Sequence, residues 1–239
     1  MIGTLLNVAT VIVGGFLGVL LGNRLPERLR QTVIAGLGLF TLAYGLSMFL
    51  KTQNALVVLG SLLVGIIIGE WLGIETGLKR LGAWIEARVQ KGGEEGGDTS
   101  RFVRGFLTAS LVFCVGPMTI LGSIQDGLTG NYELLAVKAV LDGFAALAFA
   151  SSLGVGVLFS TVIILVYQGG ITLLAAQVNA LVTEPMMIEM TAVGGVILLA
   201  IAISSLLEIK PIRSGNFLPA LVVAPLIVAL LNLLGVTFP

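Results

Sequence analysis

Between residues 114 and 143 the sequence CVGPMTILGSIQDGLTGNYELLAVKAVLDG sets a helix-breaking pair, Gly116-Pro117, into one apolar span and an amine and a carboxylate, Lys138 and Asp142, into the next. Proline removes a backbone donor, so Gly116-Pro117 leaves carbonyl groups that need other partners. Lys138 and Asp142 stand at i,i+4, the spacing of an ion pair on one helix face. A charge at the centre of a bilayer costs roughly 3 kcal/mol or more and is rarely left facing lipid. Freed carbonyls beside an acid and a base are how discontinuous-helix substrate sites are built. Such a set can bind a cation or shuttle a proton at Asp142, or hold an anionic solute at Lys138.

Depth along the chain extends the set. Gly116-Pro117 lies about 12 residues beyond Arg104, hence about 18 Å from the inner surface at the helical rise. The chain turns back near Thr129 and Gly130, and Asp142 lies about as far after that turn as Pro117 lies before it. The break and the carboxylate are therefore expected at one depth, with Thr119 and Ser123 across from Asp142 and Lys138. Gln168, halfway along a span containing VYQGG, is a third polar element at that level, and Gln125 with Asp126 forms a polar mouth near the outer surface. Should a metal cation bind, Asp142 is the best candidate ligand. The competing reading is that Lys138 and Asp142 only neutralise each other and lock the bundle. Glu70 beside Trp71 reads as a snorkelling surface residue, Asn7 and Asn216-Phe217-Leu218-Pro219 as capping or packing features, and Cys114 as a small buried apolar residue.

The elements that carry these residues must be membrane-spanning helices. Apolar residues make up 56% of the chain and charged residues 11%, with a mean hydropathy of +1.07, whereas a soluble domain carries about a quarter charged residues. At about 20 apolar residues per span, a chain of 239 residues holds up to eight spans and little besides. The expectation is an all-α polytopic transmembrane helical bundle of about eight spans, one transmembrane domain over 1–239 with a discontinuous fourth span. The predicted spans are 2–22, 31–50, 55–74, 104–125, 133–152, 156–176, 190–207 and 217–236. The first apolar run is longer than a signal-peptide core and has no basic residue before it, so it reads as a retained span. Within 75–101, Leu78, Leu81, Ile85 and Val89 recur at helical spacing among Lys79, Arg80 and Arg88, as in a cytoplasmic amphipathic helix on the membrane surface, and Gln90 to Ser100 reads as a flexible linker.

Several function classes drop out. Net charge is zero, which gives no basic footprint for nucleic acid. There is no histidine and Cys114 is the sole cysteine, so internal disulfides, Cys/His zinc sites and histidine-ligated haem are excluded. No G-x-x-x-x-G-K-[ST] loop appears, and no paired catalytic aspartates or serine–histidine arrangement. The chain is expected to need no cofactor and not to be an enzyme.

Threading the spans alternately puts Arg24, Arg28, Arg30, Lys79, Arg80, Arg88, Lys91, Arg101, Arg104, Lys210 and Arg213 on one side and Lys51 alone on the other. Basic residues collect in cytoplasmic loops, so both termini are expected outside the cytoplasm. TVIAGLGLFTLAYGLSMFL echoes MTAVGGVILLAIAISSLLEIK, and VIVGGFLGVLL echoes VYQGGITLLAA. Spans 1–3 then match spans 6–8 in the opposite orientation, an inverted repeat of the kind found in transporters and channels; resemblance by shared Gly/Leu/Val composition is the plainer account. Gly14, Gly18 and Gly22 in span one, and Ser61, Gly65, Gly69 and Gly73 in span three, form flat stripes for close helix packing, available also to a homo-oligomer contact.

CVGPMTILGSIQDG, KAVLDGFAALAFASSLGVGVLFS, YQGG and NFLPAL together resemble the bacterial inner-membrane proteins known as domain of unknown function 554, in the same order over nearly the whole chain. The resemblance implies a multi-span prokaryotic membrane protein, of a kind guessed to be a transporter, and brings no substrate. LDGFAALAFASSLG is similar, more remotely, to the acidic, alanine-rich spans of bacterial manganese and cation exporters. The leading expectation is a secondary transporter or permeation protein for a small ion or solute in the bacterial cytoplasmic membrane. The alternative is a non-transporting scaffold or accessory subunit whose polar residues serve packing.

Overall fold

The computed structural model describes residues 1–22, 26–89 and 99–235, and among them every regular element is helical. In chain order these are α1 (Ile2–Gly22), α2 (Glu27–Phe49), α3 (Ala55–Leu72), α4 (Ile74–Val89), α5 (Thr99–Val115), α6 (Pro117–Thr129), α7 (Glu133–Leu153), α8 (Ser160–Leu173), α9 (Ala175–Leu181), α10 (Glu184–Ile201) and α11 (Ala220–Leu233). Seven described helices are long and apolar enough to cross a membrane, and an eighth crossing is supplied by α5 and α6, bent by 61° at Gly116-Pro117. The discontinuous fourth span is therefore present. Large apolar side chains stand exposed along the helices, among them Phe16, Leu39, Ile67, Phe144, Val166 and Leu226, which only a hydrocarbon solvent tolerates on this scale.

Helix ends differ from expectation where caps outweigh hydropathy. The seventh span begins at Glu184, not 190, because Thr183 and Pro185 start the helix early and the Thr183 N–H reaches Met186 Sδ at 3.4 Å. Thr99 and Ser100 open α5 rather than ending a linker; Gln90 to Asp98, like Arg24 and Lys91, lie outside the described residues. At the far end of α3, Gly73 takes φ +62 and returns its N–H to Glu70, a conformation that glycine adopts without penalty.

The chain forms two compact units. One contains Met1–Leu37, Gly77–Cys114 and Met118–Val178. Its spine is α1 against α7. A Cβ on Gly14 would fall 2.0 Å from the Gly143 carbonyl oxygen, and on Gly18 or Gly22 2.3 Å from those of Leu147 and Ser151. Contacts that rise together along both chains make the pair parallel, the relation expected when three crossings intervene. Helix α8 runs antiparallel to α1: Gly15 meets Leu158, in the short helical turn Val155–Phe159 just before α8, and Asn7 meets Gln168. On α6, Gly127 packs on the Thr172 carbonyl, and Gly122 on Leu135.

The other unit contains Gly38–Thr76, Val115–Pro117 and Asn179–Pro239. Here α2 lies antiparallel to α10, with Gly45 and Gly195 each against the other's carbonyl. In the same unit α3 lies antiparallel to α11, with Gly65 on Ala220 and Gly69 2.0 Å from the Asn216 carbonyl oxygen. The glycine faces of spans one and three are thus met from within the chain, except at Gly73, which has nothing within 4 Å.

Candidate functional site

The polar residues of the first unit converge on α1. The Lys138 ammonium pairs with Asp142 Oδ2 on α7. Asn7 Nδ2 donates to the same Asp142 oxygen at 3.0 Å and to Gln168 Oε1, also at 3.0 Å. Gln168 Nε2 in turn donates to Thr4 Oγ1 at 3.2 Å, and Thr172 Oγ1 stands 3.4 Å from that hydroxyl. Asn7, Thr4 and Gln168 are fully buried, and Lys138 and Asp142 nearly so. A carboxylate, an ammonium and two amides from three helices thus form one network, held where the Gly14–Gly143 contact brings α1 and α7 together.

Helix α6 contributes along its inner face. Asp126 Oδ2 accepts from the Gly3 N–H at 3.1 Å, with the Met1 nitrogen 2.9 Å from the same oxygen. Asp126 therefore closes the network at the end where α1 begins. Ser123 sits one turn further in on the face that carries Gly127, next to Gly122 and its contact with Leu135. Its hydroxyl is buried without a partner, and so is Asn7 Oδ1.

The helix break does what proline chemistry requires. Pro117 cannot donate, and Thr119 compensates by donating its hydroxyl to the Phe113 carbonyl at 3.1 Å, a bond from the first turn of α6 back to the last turn of α5. Thr119 thus serves the bend instead of reaching Lys138. Cys114, three residues before Pro117, is partly buried at the end of α5. Gln125 is half-buried on another face of α6 and gives its carbonyl to Thr129; it is not in the network.

Two residues escaped sequence reasoning. Asn7 is the hub, although a lone amide near the chain start reads as a cap. The available signal was register: Gly3, Asn7, Gly14 and Gly18 share one face of α1, so Asn7 had to meet whatever the glycines meet. Glu189 is the other. It is fully buried at the start of α10 and accepts from Thr52 Oγ1 at 2.7 Å, Gln53 N at 2.9 Å and Asn54 N at 3.0 Å, gripping the α2–α3 turn. In the same unit Glu75 grips the turn before α11, accepting from Gly215 N at 2.8 Å while its own N–H donates to Asn216 Oδ1 at 2.7 Å. Glu70 pairs with Arg213 at 2.8 Å, both partly exposed. Among the described residues no group of three or more His, Cys, Asp or Glu side chains could hold a metal ion.

Comparison with known proteins identifies relatives and a family. The chain is 34% identical over 223 residues to "Uncharacterized protein YqgA" of Escherichia coli (strain K12), covering 93% of this chain and 94% of that protein. It is 26% identical over 242 residues to "Uncharacterized membrane protein YdfK" of Bacillus subtilis (strain 168), covering all of both. No solved structure matches. Residues 2–229 match the family described as "Protein of unknown function (DUF554)", and with bacterial relatives matched from end to end the chain belongs to that family of multi-pass membrane proteins.

Proposed function

We propose that the protein is a secondary transporter or permeation protein for a small ion or solute, with the Lys138–Asp142–Asn7–Gln168 network as its binding site. The observation that carries this reading is that Asn7 Oδ1, fully buried at the hub of this network, has no partner among the described residues. A locking device gains nothing from such an atom, since it costs about 1–3 kcal/mol when left unsatisfied. Helix α6, which meets α1 through Asp126 and Gly3 and belongs to the bent span, is the element able to change shape.

We also read spans 1–3 and 6–8 as an inverted repeat, the build of many transporters and channels. The proposed mates, spans 1 and 6, 2 and 7, and 3 and 8, are each direct antiparallel packing partners, and the last pair opens on the same ALVV sequence at 55–58 and 220–223. Basic-residue placement favours the cytoplasmic membrane with both termini outside the cytoplasm. No feature of the network suggests bond-making chemistry, so we take the protein for a carrier and not an enzyme.

The scaffold reading draws on one observation, that Lys138 and Asp142 neutralise each other. The two diverge on water access. In a Cys114→Ser background, Ser123→Cys in whole cells or inverted vesicles should react with a membrane-impermeant maleimide from at least one face. Absence of labelling from both faces, in a variant that labels once unfolded in detergent, would leave the scaffold standing.

A further inference from the structure

The network is specific about charge. Asn7 Nδ2 spends both hydrogens, on Asp142 and on Gln168. The amide cannot be turned over without setting Oδ1 against the Asp142 carboxylate, so its unpaired atom is an acceptor. The missing partner is therefore a donor. Lys138 and Asp142 already sum to zero, and neither has a second charged partner within the network. Separating them to admit a simple cation would strand the Lys138 ammonium in a buried site, and a simple anion would strand Asp142. A stranded buried charge is the costly outcome. A guest carrying both charges strands neither, because one internal ion pair is replaced by two.

We propose, resting on the carrier reading, that the solute is a small zwitterion with a primary ammonium and a carboxylate, of the α-amino-acid class, inserted between Lys138 and Asp142. Its ammonium donates to Asp142 and to Asn7 Oδ1. Its carboxylate accepts from Lys138 Nζ. No proton need be gained or lost at the site, and net charge stays at zero throughout.

The test is thermal unfolding of the purified full chain in detergent, read by intrinsic fluorescence. Probes are each of the twenty standard amino acids, methylammonium chloride, sodium acetate and glycine betaine, which carries both charges but no ammonium hydrogen. At least one amino acid should raise the midpoint saturably, and the other three probes should not at equal concentration. Lys138→Met should weaken that binding by ~30-fold or more, as loss of one partner of a buried charge pair does. Because Lys138→Met strands Asp142, the double variant Lys138→Met/Asp142→Leu serves as a folded control that must also lose the shift. A saturable shift from methylammonium or acetate, with none from any amino acid, would overturn the zwitterion while leaving a carrier. No shift from any probe would overturn it too, and the Ser123→Cys labelling then decides whether the carrier reading falls with it.

Discussion

Replacing Gly14 by alanine tests the contact that creates the site. A Cβ there would lie 2.0 Å from the Gly143 carbonyl oxygen, whereas ordinary contact begins at 3.4 Å, so the helices must part by about 3.4 − 2.0 = 1.4 Å. The obstacle is backbone and cannot rotate away. Equally close contacts at Gly18 and Gly22 prevent α1 from bowing locally. Overpacking of this kind costs about 1–3 kcal/mol. Parting α1 from α7 also stretches the 3.0 Å bond from Asn7 to Asp142, and a hydrogen bond to a charged group is worth about 1.5–3 kcal/mol. Against these, alanine gains about 1 kcal/mol of helix propensity over glycine. The net loss is then about 2–5 kcal/mol. Gly36→Ala is the matched control, because nothing lies within 4 Å of the added methyl, and it should be neutral or stabilising by up to about 1 kcal/mol. Equilibrium unfolding of both variants in mixed detergent micelles measures the difference. If Gly14→Ala unfolds at the same denaturant midpoint as Gly36→Ala, α1 does not rest on α7 as described, and the reasoning that joins Asn7 to Asp142 fails with it.

Two further outcomes follow from the buried charges. Lys138→Met alone should destabilise by about 3–5 kcal/mol, but Lys138→Met with Asp142→Leu by much less; a double-mutant cycle in the same micelles measures the coupling, and additive effects would mean that the two charges do not depend on each other. Glu189→Gln keeps the shape of the side chain but puts an amide nitrogen, which cannot accept, in place of one of the two oxygens that take three hydrogen bonds, so it should cost about 1–3 kcal/mol and speed amide exchange at Gln53 and Asn54; unchanged exchange there would show that Glu189 does not hold the turn.

The same residues show how far sequence reaches. Pro117 announced the broken span because no side chain is needed to know that proline lacks a donor. Lys138 and Asp142 announced their pairing because i,i+4 neighbours meet on any helix. Asn7 did not announce itself, since its partners lie 135 and 161 residues away and depend on how α1 is rotated against α7 and α8. Counting residues set Thr119 across from the ion pair, but its hydroxyl turned to the carbonyl that the break had freed. Glu189 was missed because hydropathy started its span too late, at a point where Thr183 and Pro185 had already begun the helix.

By itself the sequence determined that the chain crosses a membrane as helices, about how often it does so, and where one crossing breaks. Hydrocarbon offers backbone groups no other partners, so composition and spacing suffice for that much. Only the tertiary structure decided which buried polar atoms meet and which are left unpaired, because that depends on the rotation of each helix about its axis and on the close approach that glycine permits. A shift of about one ångström at Gly14, invisible to any count of residues, separates a connected network from isolated polar side chains.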